Sequence, residues 1–440
     1  MRIRISENLR SPDPFFKKAA LSFLMRFGGL ALQFLGSIWV ARALGAEGFG
    51  AFTLASTWAV FVGMMLSLGL GELAVREVPT YLAKLQPRRI LGFVIVGAVT
   101  IVVTSGVMAA LFALLERNGI LVLSPGWKLV ALMAALHGLI LSVSHILNGF
   151  QRILTSQFLE TIVRPMLYLG VLLATVLAGV TLTAANVFTI SMLAAVPILA
   201  VMIWVAVASY RGKHKGSGAP EYQIAIWFSA AIPVFLTAFS NRLQLDLDVL
   251  MIGALLGNHE VGIYRAAARG ALLLSIANMV ALQLVGPMLS RALANGDSAA
   301  AQGFLTRAAI VSLVAGLPIC LLLGFGAPYY LALFGPEFTQ ASLSLRLLLI
   351  GQATIIFAGA DAILLVMLRR EKLVTIVTAI GVILNFLLNL TLIGPFGIEG
   401  AAVASLVSMA LVRIVLVTVI LRQTGFDPTI LRLFGRQKRA

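Results

Sequence analysis

The sequence predicts an all-α integral membrane protein with about twelve transmembrane helices in two six-helix lobes and with both termini in the cytoplasm. Three observations support this fold class: the composition, the lengths of the apolar runs and the distribution of basic residues. The 440 residues are 60% hydrophobic and only 11% charged, whereas a soluble domain carries about 25% charged residues. The mean hydropathy of +1.01 agrees with this composition. So much apolar surface requires a lipid bilayer as its solvent.

Apolar runs that are long enough to cross the bilayer recur along the whole chain. A hydrocarbon core about 30 Å thick needs roughly 20 helical residues. The runs lack the ten-residue alternation of a transmembrane β-barrel, and the segments between them are too short for an independent extramembrane domain. We therefore predict these spans: 19–43, 51–72, 89–114, 128–149, 153–178, 185–209, 224–256, 262–290, 304–325, 342–366, 373–393 and 399–421.

The basic residues orient the spans. With a cytoplasmic N-terminus, the cytoplasmic segments carry 23 Lys and Arg, and the opposite side carries three: Arg42, Arg117 and Lys128. Membrane proteins concentrate Lys and Arg in their cytoplasmic loops. We therefore expect a multi-pass protein of the cytoplasmic (inner) membrane. The same bias accounts for the net charge of +16, so a nucleic-acid partner is not expected.

A weak internal repeat divides the chain into two halves. The stretch "ALGAEGFGAF" (43–52) aligns with "LLGNHEVGIY" (255–264) at an offset of 212. Six spans in each half bring both halves into the membrane from the same side, which gives a parallel repeat about an axis along the membrane normal. The predicted division is a cytoplasmic tail 1–18, an N-terminal lobe 19–209, a cytoplasmic linker 210–223, a C-terminal lobe 224–421 and a basic cytoplasmic tail 422–440.

Several arginines fall inside the predicted spans, where a charge costs roughly 2.5–3.5 kcal/mol on insertion scales. Arg26 and Arg413 have no acidic residue at helical spacing, so each needs either an external anion or a partner on another helix. We predict that four arginines line a cationic central cavity that binds an anionic substrate. They are Arg26, Arg164, Arg242 and Arg413.

Acidic residues accompany some of these arginines. Arg242 and Asp246 are spaced i,i+4, as are Glu160 and Arg164, and Pro165 should kink the helix that follows. Two interpretations stay open: the charges neutralise each other and lock the helices together, or they serve gating or ion coupling. The candidates for gating or ion coupling are Glu160, Asp246, Asp248, Arg265 and Arg269.

Three further polar residues are expected to have structural roles. Asp361 lies within reach of Arg369 and Arg370 and is expected to cap the helix or to pair there, and Asn385 and Asn389 are expected to make interhelical hydrogen bonds. His137 and His145 have no ligand partners at metal-site spacing, and no phosphate-binding glycine motif with Lys is present. We expect no metal and no other cofactor; a coupling ion, H⁺ or Na⁺, stays open.

Two stretches resemble a known family. "ARALGAEGFGAFTLAS" is similar to the Arg-x-Leu-Gly-x-x-x-(Phe/Tyr)-Gly signature of polysaccharide-export flippases, and "LDLDVLMIGALLGNHEVGIYRAAA" resembles its second-half counterpart. "LFGPEFTQA" (333–341) and "FGIEGAAVAS" (396–405) also resemble family segments. The motif residues that carry the resemblance include Arg42, Gly45, Phe49, Gly50, Asp248, Gly253, Gly262 and Tyr264.

The family is that of the O-antigen-type lipid-linked oligosaccharide flippases of the multidrug/oligosaccharidyl-lipid/polysaccharide (MOP) superfamily. The resemblance implies a transporter, not an enzyme. It would move a polyprenyl-pyrophosphate-linked oligosaccharide from the cytoplasmic to the outer leaflet by alternating access, for surface polysaccharide biosynthesis. The implied partners are this glycan lipid, membrane lipid and polysaccharide polymerase machinery. The excess of intramembrane arginine favours such an anionic cargo.

Two other functions stay open. A multidrug/cation antiporter of the same superfamily would have the same span count, but its acidic first-lobe site is not visible here. A membrane-embedded glycan polymerase or ligase would need substantial external loops, which the sequence lacks.

Overall fold

The computed structural model describes residues 14–118, 125–213 and 218–433. Most of the predicted N-terminal tail, residues 214–217 of the predicted linker and residues 434–440 of the predicted C-terminal tail lie outside these ranges. All regular elements in the described ranges are helical. The prediction of an all-α membrane protein is confirmed.

The described residues of the first half of the chain form seven α-helices. The fifth and sixth are joined by a π-helical turn, Leu159–Val163, and they form one continuous span. The helices are α1 (Pro14–Ser67), α2 (Leu70–Ala83), α3 (Pro87–Arg117), α4 (Pro125–Gly149), α5 (Ile153–Phe158), α6 (Arg164–Leu177) and α7 (Ala184–Lys213).

The second half, as far as the structure describes it, contains seven more α-helices and two short 3₁₀ helices, Pro336–Ala341 and Ile430–Leu433. The helices are α8 (Ile224–Leu255), α9 (Asn258–Ala294), α10 (Ser298–Phe325), α11 (Ala327–Ala332), α12 (Ser342–Ala358), α13 (Asp361–Met367) and α14 (Glu371–Gln423).

Two of these helices are broken in the middle by glycine. Gly45 in α1 has φ 67° and ψ −179°, and Gly397 in α14 has φ 59° and ψ −138°. A side chain would be strained at either φ, so glycine permits the chain to leave one helix and begin the next. Nine described helices are long and apolar enough to cross a membrane. With α1 and α14 each counted as two spans, and with the 37-residue α9 added, every one of the twelve predicted spans has its helix.

The chain forms two compact units. Unit 1 comprises the chain up to Val40 together with Ala55–Phe239, and unit 2 comprises Ala41–Leu54 together with the chain from Ser240 onward. Compared with the predicted lobes, the start of α8 belongs to unit 1, and a short segment of α1 belongs to unit 2.

Aromatic packing explains both differences. In unit 1, Trp227 near the start of α8 is fully buried, packs edge-to-face on Phe93 at 5.2 Å and donates a 2.8 Å hydrogen bond to the Tyr81 hydroxyl. In unit 2, Phe49 of α1 is buried against Phe334 and Phe338, with ring centroids 6.4 and 6.1 Å away. Large buried aromatic rings contribute much of the packing energy of a core, so each of these segments is held in the unit whose rings it contacts.

Candidate functional site

The second half of α8 and the start of α9 hold a three-residue group that we call the arginine–aspartate cluster: Arg242, Asp246 and Arg265. Asp246 is only 2% exposed. Arg242 Nη2 lies 2.6 Å from Asp246 Oδ2, and Arg265 Nη1 donates a 2.7 Å hydrogen bond to Asp246 Oδ1. The i,i+4 spacing brings Arg242 and Asp246 to one face of α8, and the short turn at Gly257 returns α9 beside that face.

The arginine–aspartate cluster has two cations and one anion, so one positive charge is left over. A buried carboxylate is costly unless it is paired and hydrogen-bonded, and here each oxygen of Asp246 contacts a guanidinium. The side chain of Arg242 is 34% exposed and that of Arg265 is 18% exposed. Arg242 is therefore the member of the cluster with the most surface left for another anion.

Two residues farther along α8, Asp248 belongs to a second group that contains no basic side chain. We call it the Asp248 network: Asp248, Tyr264, Asn385, Asn389 and Ser405. Asn389 Nδ2 donates to Asp248 Oδ1 at 2.8 Å, Tyr264 donates to Oδ2 at 2.7 Å, and Ser405 Oγ donates to the same Oδ2. Asn389 Nδ2 also lies 3.0 Å from Asn385 Oδ1.

The Asp248 network joins three helices through one carboxylate. Tyr264 lies on α9, and Asn389 and Ser405 lie on the two sides of the break in α14. Asn389 is fully buried, and its Oδ1 atom is among the buried polar atoms with no hydrogen-bond partner. The sequence predicted interhelical hydrogen bonds for Asn385 and Asn389 but did not identify Asp248 as their centre. Ser405 was missed as a partner, although it ends the family-like stretch 396–405.

Arg269 is the second candidate on α9 for gating or ion coupling. It lies one helical turn beyond Arg265 on α9, near Tyr330, whose buried hydroxyl donates a 3.2 Å hydrogen bond to the Ala266 carbonyl. The arginine that contacts Asp246 from α9 is Arg265.

Glu160 and Arg164, both in the described part of unit 1, do not form the predicted direct ion pair. The π-helical turn Leu159–Val163 adds a residue to this turn of the helix, so the spacing on which the i,i+4 prediction depends is lost. Ser156 Oγ donates a 3.3 Å hydrogen bond to Glu160 Oε1. Pro165 follows at the start of α6, where a missing N–H is tolerated.

Arg413 has an acidic partner on another helix. Its Nη1 atom lies 3.0 Å from Oδ1 and 3.3 Å from Oδ2 of Asp361, which is 2% exposed. The predicted pairing of Asp361 with Arg369 or Arg370 is not formed, whereas the alternative, capping, agrees with the structure: Asp361 Oδ1 accepts a 2.6 Å hydrogen bond from the Ala362 N–H at the start of α13. The sequence allowed two kinds of partner for Arg413, an external anion or a residue on another helix. The structure shows a residue on another helix, Asp361. The two residues are 52 positions apart, so helical spacing could not reveal them.

Arg26 is exposed on α1 and makes no ion pair with any residue that the structure describes. Arg26 and Arg164 belong to unit 1, whereas Arg242 and Arg413 belong to unit 2. A cavity shared by the four arginines therefore stays a prediction. In the described ranges, no three His, Cys, Asp or Glu side chains lie close enough together to hold a metal ion.

The predicted motif residues form a helix crossing in unit 2. Gly45 and Gly257, which the internal repeat aligns, are both in the positive-φ region with nearly extended ψ: 67° and −179° for Gly45, 116° and −172° for Gly257. Five residues later in each copy, Gly50 and Gly262 lie against each other. A Cβ atom on Gly50 would stand 1.7 Å from the Asn258 carbonyl oxygen, and one on Gly262 would stand 2.1 Å from that of Ala46.

The family-like stretch 333–341 secures this crossing. Arg42 donates from Nε to the Leu333 carbonyl at 2.6 Å, and Glu337 Oε1 accepts a 2.7 Å hydrogen bond from the Ala46 N–H. The Ala46 N–H is one of the unpaired donors at the start of the helix after Gly45, so Glu337 caps that helix. The motif arginine and glycines thus shape the backbone, and Tyr264 belongs to the Asp248 network.

Comparison with known proteins places the chain in context. The model of a family described as "Polysaccharide biosynthesis protein" matches residues 15–293. A protein of Haloferax volcanii named "Probable low-salt glycan biosynthesis flippase Agl15" is 30% identical over 168 residues, which cover 37% of this chain and 35% of that protein. The chain therefore matches about a third of the length of this relative.

Solved transporters share the fold. The lipid II flippase MurJ in an inward closed conformation matches with a TM-score of 0.70 at 15% identity, over 92% of this chain and 87% of MurJ. An inward-facing multidrug resistance MATE family transporter of the MOP superfamily matches with a TM-score of 0.63 at 13% identity, over 90% of this chain and 96% of that chain. These matches show that the chain shares the fold of these transporters.

Proposed function

The chain belongs to the family of polysaccharide biosynthesis proteins, and we propose that it is a flippase that moves a polyprenyl-pyrophosphate-linked oligosaccharide from the cytoplasmic to the outer leaflet. This activity would supply surface polysaccharide biosynthesis in the cytoplasmic membrane. The Haloferax relative, which is named as a glycan biosynthesis flippase, supports the general activity. The charges of unit 2 support an anionic cargo.

The surplus positive charge of the arginine–aspartate cluster is the observation that supports an anionic cargo. Arg242 contacts Asp246 at 2.6 Å and keeps about a third of its side chain exposed. A guanidinium has five N–H donors, so it can donate two parallel hydrogen bonds to a phosphate while another of its N–H groups contacts a carboxylate. Arg242 is thus the residue that we assign to the pyrophosphate. An organic cation would be repelled by the same surplus charge, which disfavours the drug/cation antiporter.

We assign a separate role, gating or ion coupling, to the Asp248 network. Its carboxylate is held by hydroxyl and amide donors, so it can gain or lose a cation, H⁺ or Na⁺, without breaking an ion pair. Its donors come from both segments of α14 and from α9. A change in the charge of Asp248 would alter how tightly these helices are held together. The network therefore provides a route by which a gradient could drive alternating access.

The test measures the leaflet distribution of radiolabelled lipid-linked glycan in cells that are depleted of the chromosomal protein and express Arg242→Ala. Asp246 keeps Arg265 in this variant, so the substitution does not leave the acid unpaired. We expect carrier-linked units to accumulate on the cytoplasmic face, with outward delivery reduced at least about tenfold, because a hydrogen bond to a charged group contributes about 1.5–3 kcal/mol.

Arg76→Gln serves as the matched control, because Arg76 is a largely exposed arginine paired with its neighbour Glu77. It should deliver glycan at the wild-type rate. Outward delivery by folded Arg242→Ala at the wild-type rate would refute the role of Arg242. Normal delivery in fully depleted cells would refute the flippase, and sensitivity of those cells to cationic drugs would point to the antiporter.

A further inference from the structure

Unit 1 contains an apolar groove that none of the roles above uses. It has a volume of about 320 Å³ and is lined by α3, α4 and α7. Nine of its eleven lining residues are apolar, among them Val94, Ile146 and Val207, and the two polar ones, Tyr210 and Arg211, are adjacent near the end of α7. We call it the α3–α7 groove. Its walls are thus apolar along the helices and basic at one end.

The α3–α7 groove opens toward the exterior of the helices. Ile203 and Val207 on α7 line it and are 44% and 43% exposed. Protein interiors are packed about as densely as organic crystals, and an unfilled apolar cavity is destabilising. In a bilayer, an open apolar groove of this kind is accessible to a hydrocarbon chain from the lipid.

The basic end of the groove has one guanidinium available. Arg211 is exposed and makes no ion pair or hydrogen bond with any residue in the described ranges. The neighbouring hydroxyl is occupied, because Tyr210 donates a 3.3 Å hydrogen bond to the Pro87 carbonyl. Glu221, whose backbone lies against α3 at Gly92, has its carboxylate paired with Arg89 at 3.0 Å. An anionic group at this end would therefore meet an Arg211 that has no acidic partner among the described residues.

We propose that the α3–α7 groove binds one acyl chain of an anionic phospholipid whose phosphate is held by Arg211. Arg211 lies in a segment that the positive-inside bias assigns to the cytoplasmic side, where the leaflet carries anionic lipids. Basic pockets between transmembrane helices on that side are suited to phospholipid headgroups. The site is independent of the proposed cargo and belongs to unit 1 alone.

The polar groups of the groove fit a phospholipid better than a glycan lipid. A pyrophosphate with attached sugars needs several hydrogen-bonding side chains to fix its orientation. Of the two polar side chains that line this groove, Tyr210 is already hydrogen-bonded to the α3 backbone. The single guanidinium of Arg211 can bind the single phosphate of a phospholipid headgroup. The occupant is therefore expected to be a structural lipid that fills the space between α3, α4 and α7.

The experiment measures lipid retention by the full-length protein, purified from phosphatidylglycerol/phosphatidylcholine nanodiscs and analysed by native mass spectrometry. The wild type should retain phosphatidylglycerol in preference to phosphatidylcholine. Arg211→Gln should bind phosphatidylglycerol about fivefold more weakly, which corresponds to about 1 kcal/mol for one basic residue at an anionic surface. Arg211→Lys should keep most of the preference, because it keeps the charge.

Val207→Phe tests the apolar part of the groove. The added ring occupies the space of the acyl chain, so this variant should retain less lipid of either kind. Val201→Phe is its matched control, because Val201 is also on α7 and 42% exposed but does not line the groove. Wild-type retention by both folded Arg211→Gln and folded Val207→Phe would overturn the proposal. So would displacement of phosphatidylglycerol by an equimolar polyprenyl phosphate, which would make the groove a carrier site.

Discussion

Asp246 and Asp248 are two residues apart on the same helix, and their surroundings are opposite. Asp246 is held by two guanidinium groups, at 2.6 and 2.7 Å. Asp248 is held by two hydroxyls and an amide, and its network contains no basic side chain. An intramembrane carboxylate can thus be stabilised by opposite charge or by neutral donors alone. In the first arrangement basic side chains balance the acid. In the second its hydrogen bonds come from neutral groups only, which is the basis of the gating or ion-coupling role proposed for Asp248.

Asp246→Asn should give the largest effect. It removes the only anion of the arginine–aspartate cluster and leaves two partly buried arginines facing each other. Breaking a buried ion pair by removing one partner costs about 3–5 kcal/mol. We expect thermal unfolding of the detergent-solubilised protein at a clearly lower temperature, or loss of folded protein on size-exclusion chromatography.

Asp297→Asn is the control for this prediction. Asp297 caps the exposed start of α10 by accepting from the Ala300 N–H at 2.9 Å, and Asn caps a helix as well as Asp does. Its unfolding temperature should match that of the wild type. Equal stability of Asp246→Asn and Asp297→Asn would mean that the charge pairing at Asp246 contributes little.

Tyr264→Phe should have an intermediate effect, because it removes one donor from the carboxylate of Asp248 and leaves the ring in place. A hydrogen bond to a charged group contributes about 1.5–3 kcal/mol, and one between neutral groups contributes about 0.5–1.5 kcal/mol. A double-mutant cycle of thermal stabilities with Asp248→Asn distinguishes the two cases. A coupling below about 0.5 kcal/mol would show that the 2.7 Å contact does not matter for stability.

Asp248→Asn should have the smallest effect on stability, within about 1 kcal/mol, since an amide can accept from Asn389 and donate to a hydroxyl in the same positions. Its effect should appear in coupling instead. In proteoliposomes, imposed H⁺ or Na⁺ gradients should accelerate glycan-lipid flipping by the wild type and leave the variant unchanged. A variant that still responds to both gradients would exclude Asp248 as the coupling site.

Contacts between residues that are close along the chain could be predicted from the sequence, whereas contacts between distant residues could not. Arg242 and Asp246 were paired from helical spacing, and Arg265 follows because a short turn connects its helix to theirs. The pair of Asp361 and Arg413 was missed because a long helix segment separates them. Glu160 and Arg164 have the right spacing for a regular α-helix, but the π-helical turn between them changes the local geometry. The motif identified the glycines as important residues. Only the structure shows that Gly50 and Gly262 face each other.

The crossing at Gly50 and Gly262 has a consequence for motion. Where two helices meet through side chains, each contact that forms must freeze rotamers, and a long side chain costs up to about 2 kcal/mol in entropy. Here the surfaces that touch are bare peptide groups, which have no rotamers to lose. Contact and separation at this point therefore change the side-chain entropy very little. The two helices could part and meet again here at almost no entropic cost. Any residue larger than glycine at either position would force the two helices apart, because its Cβ would clash with the facing backbone.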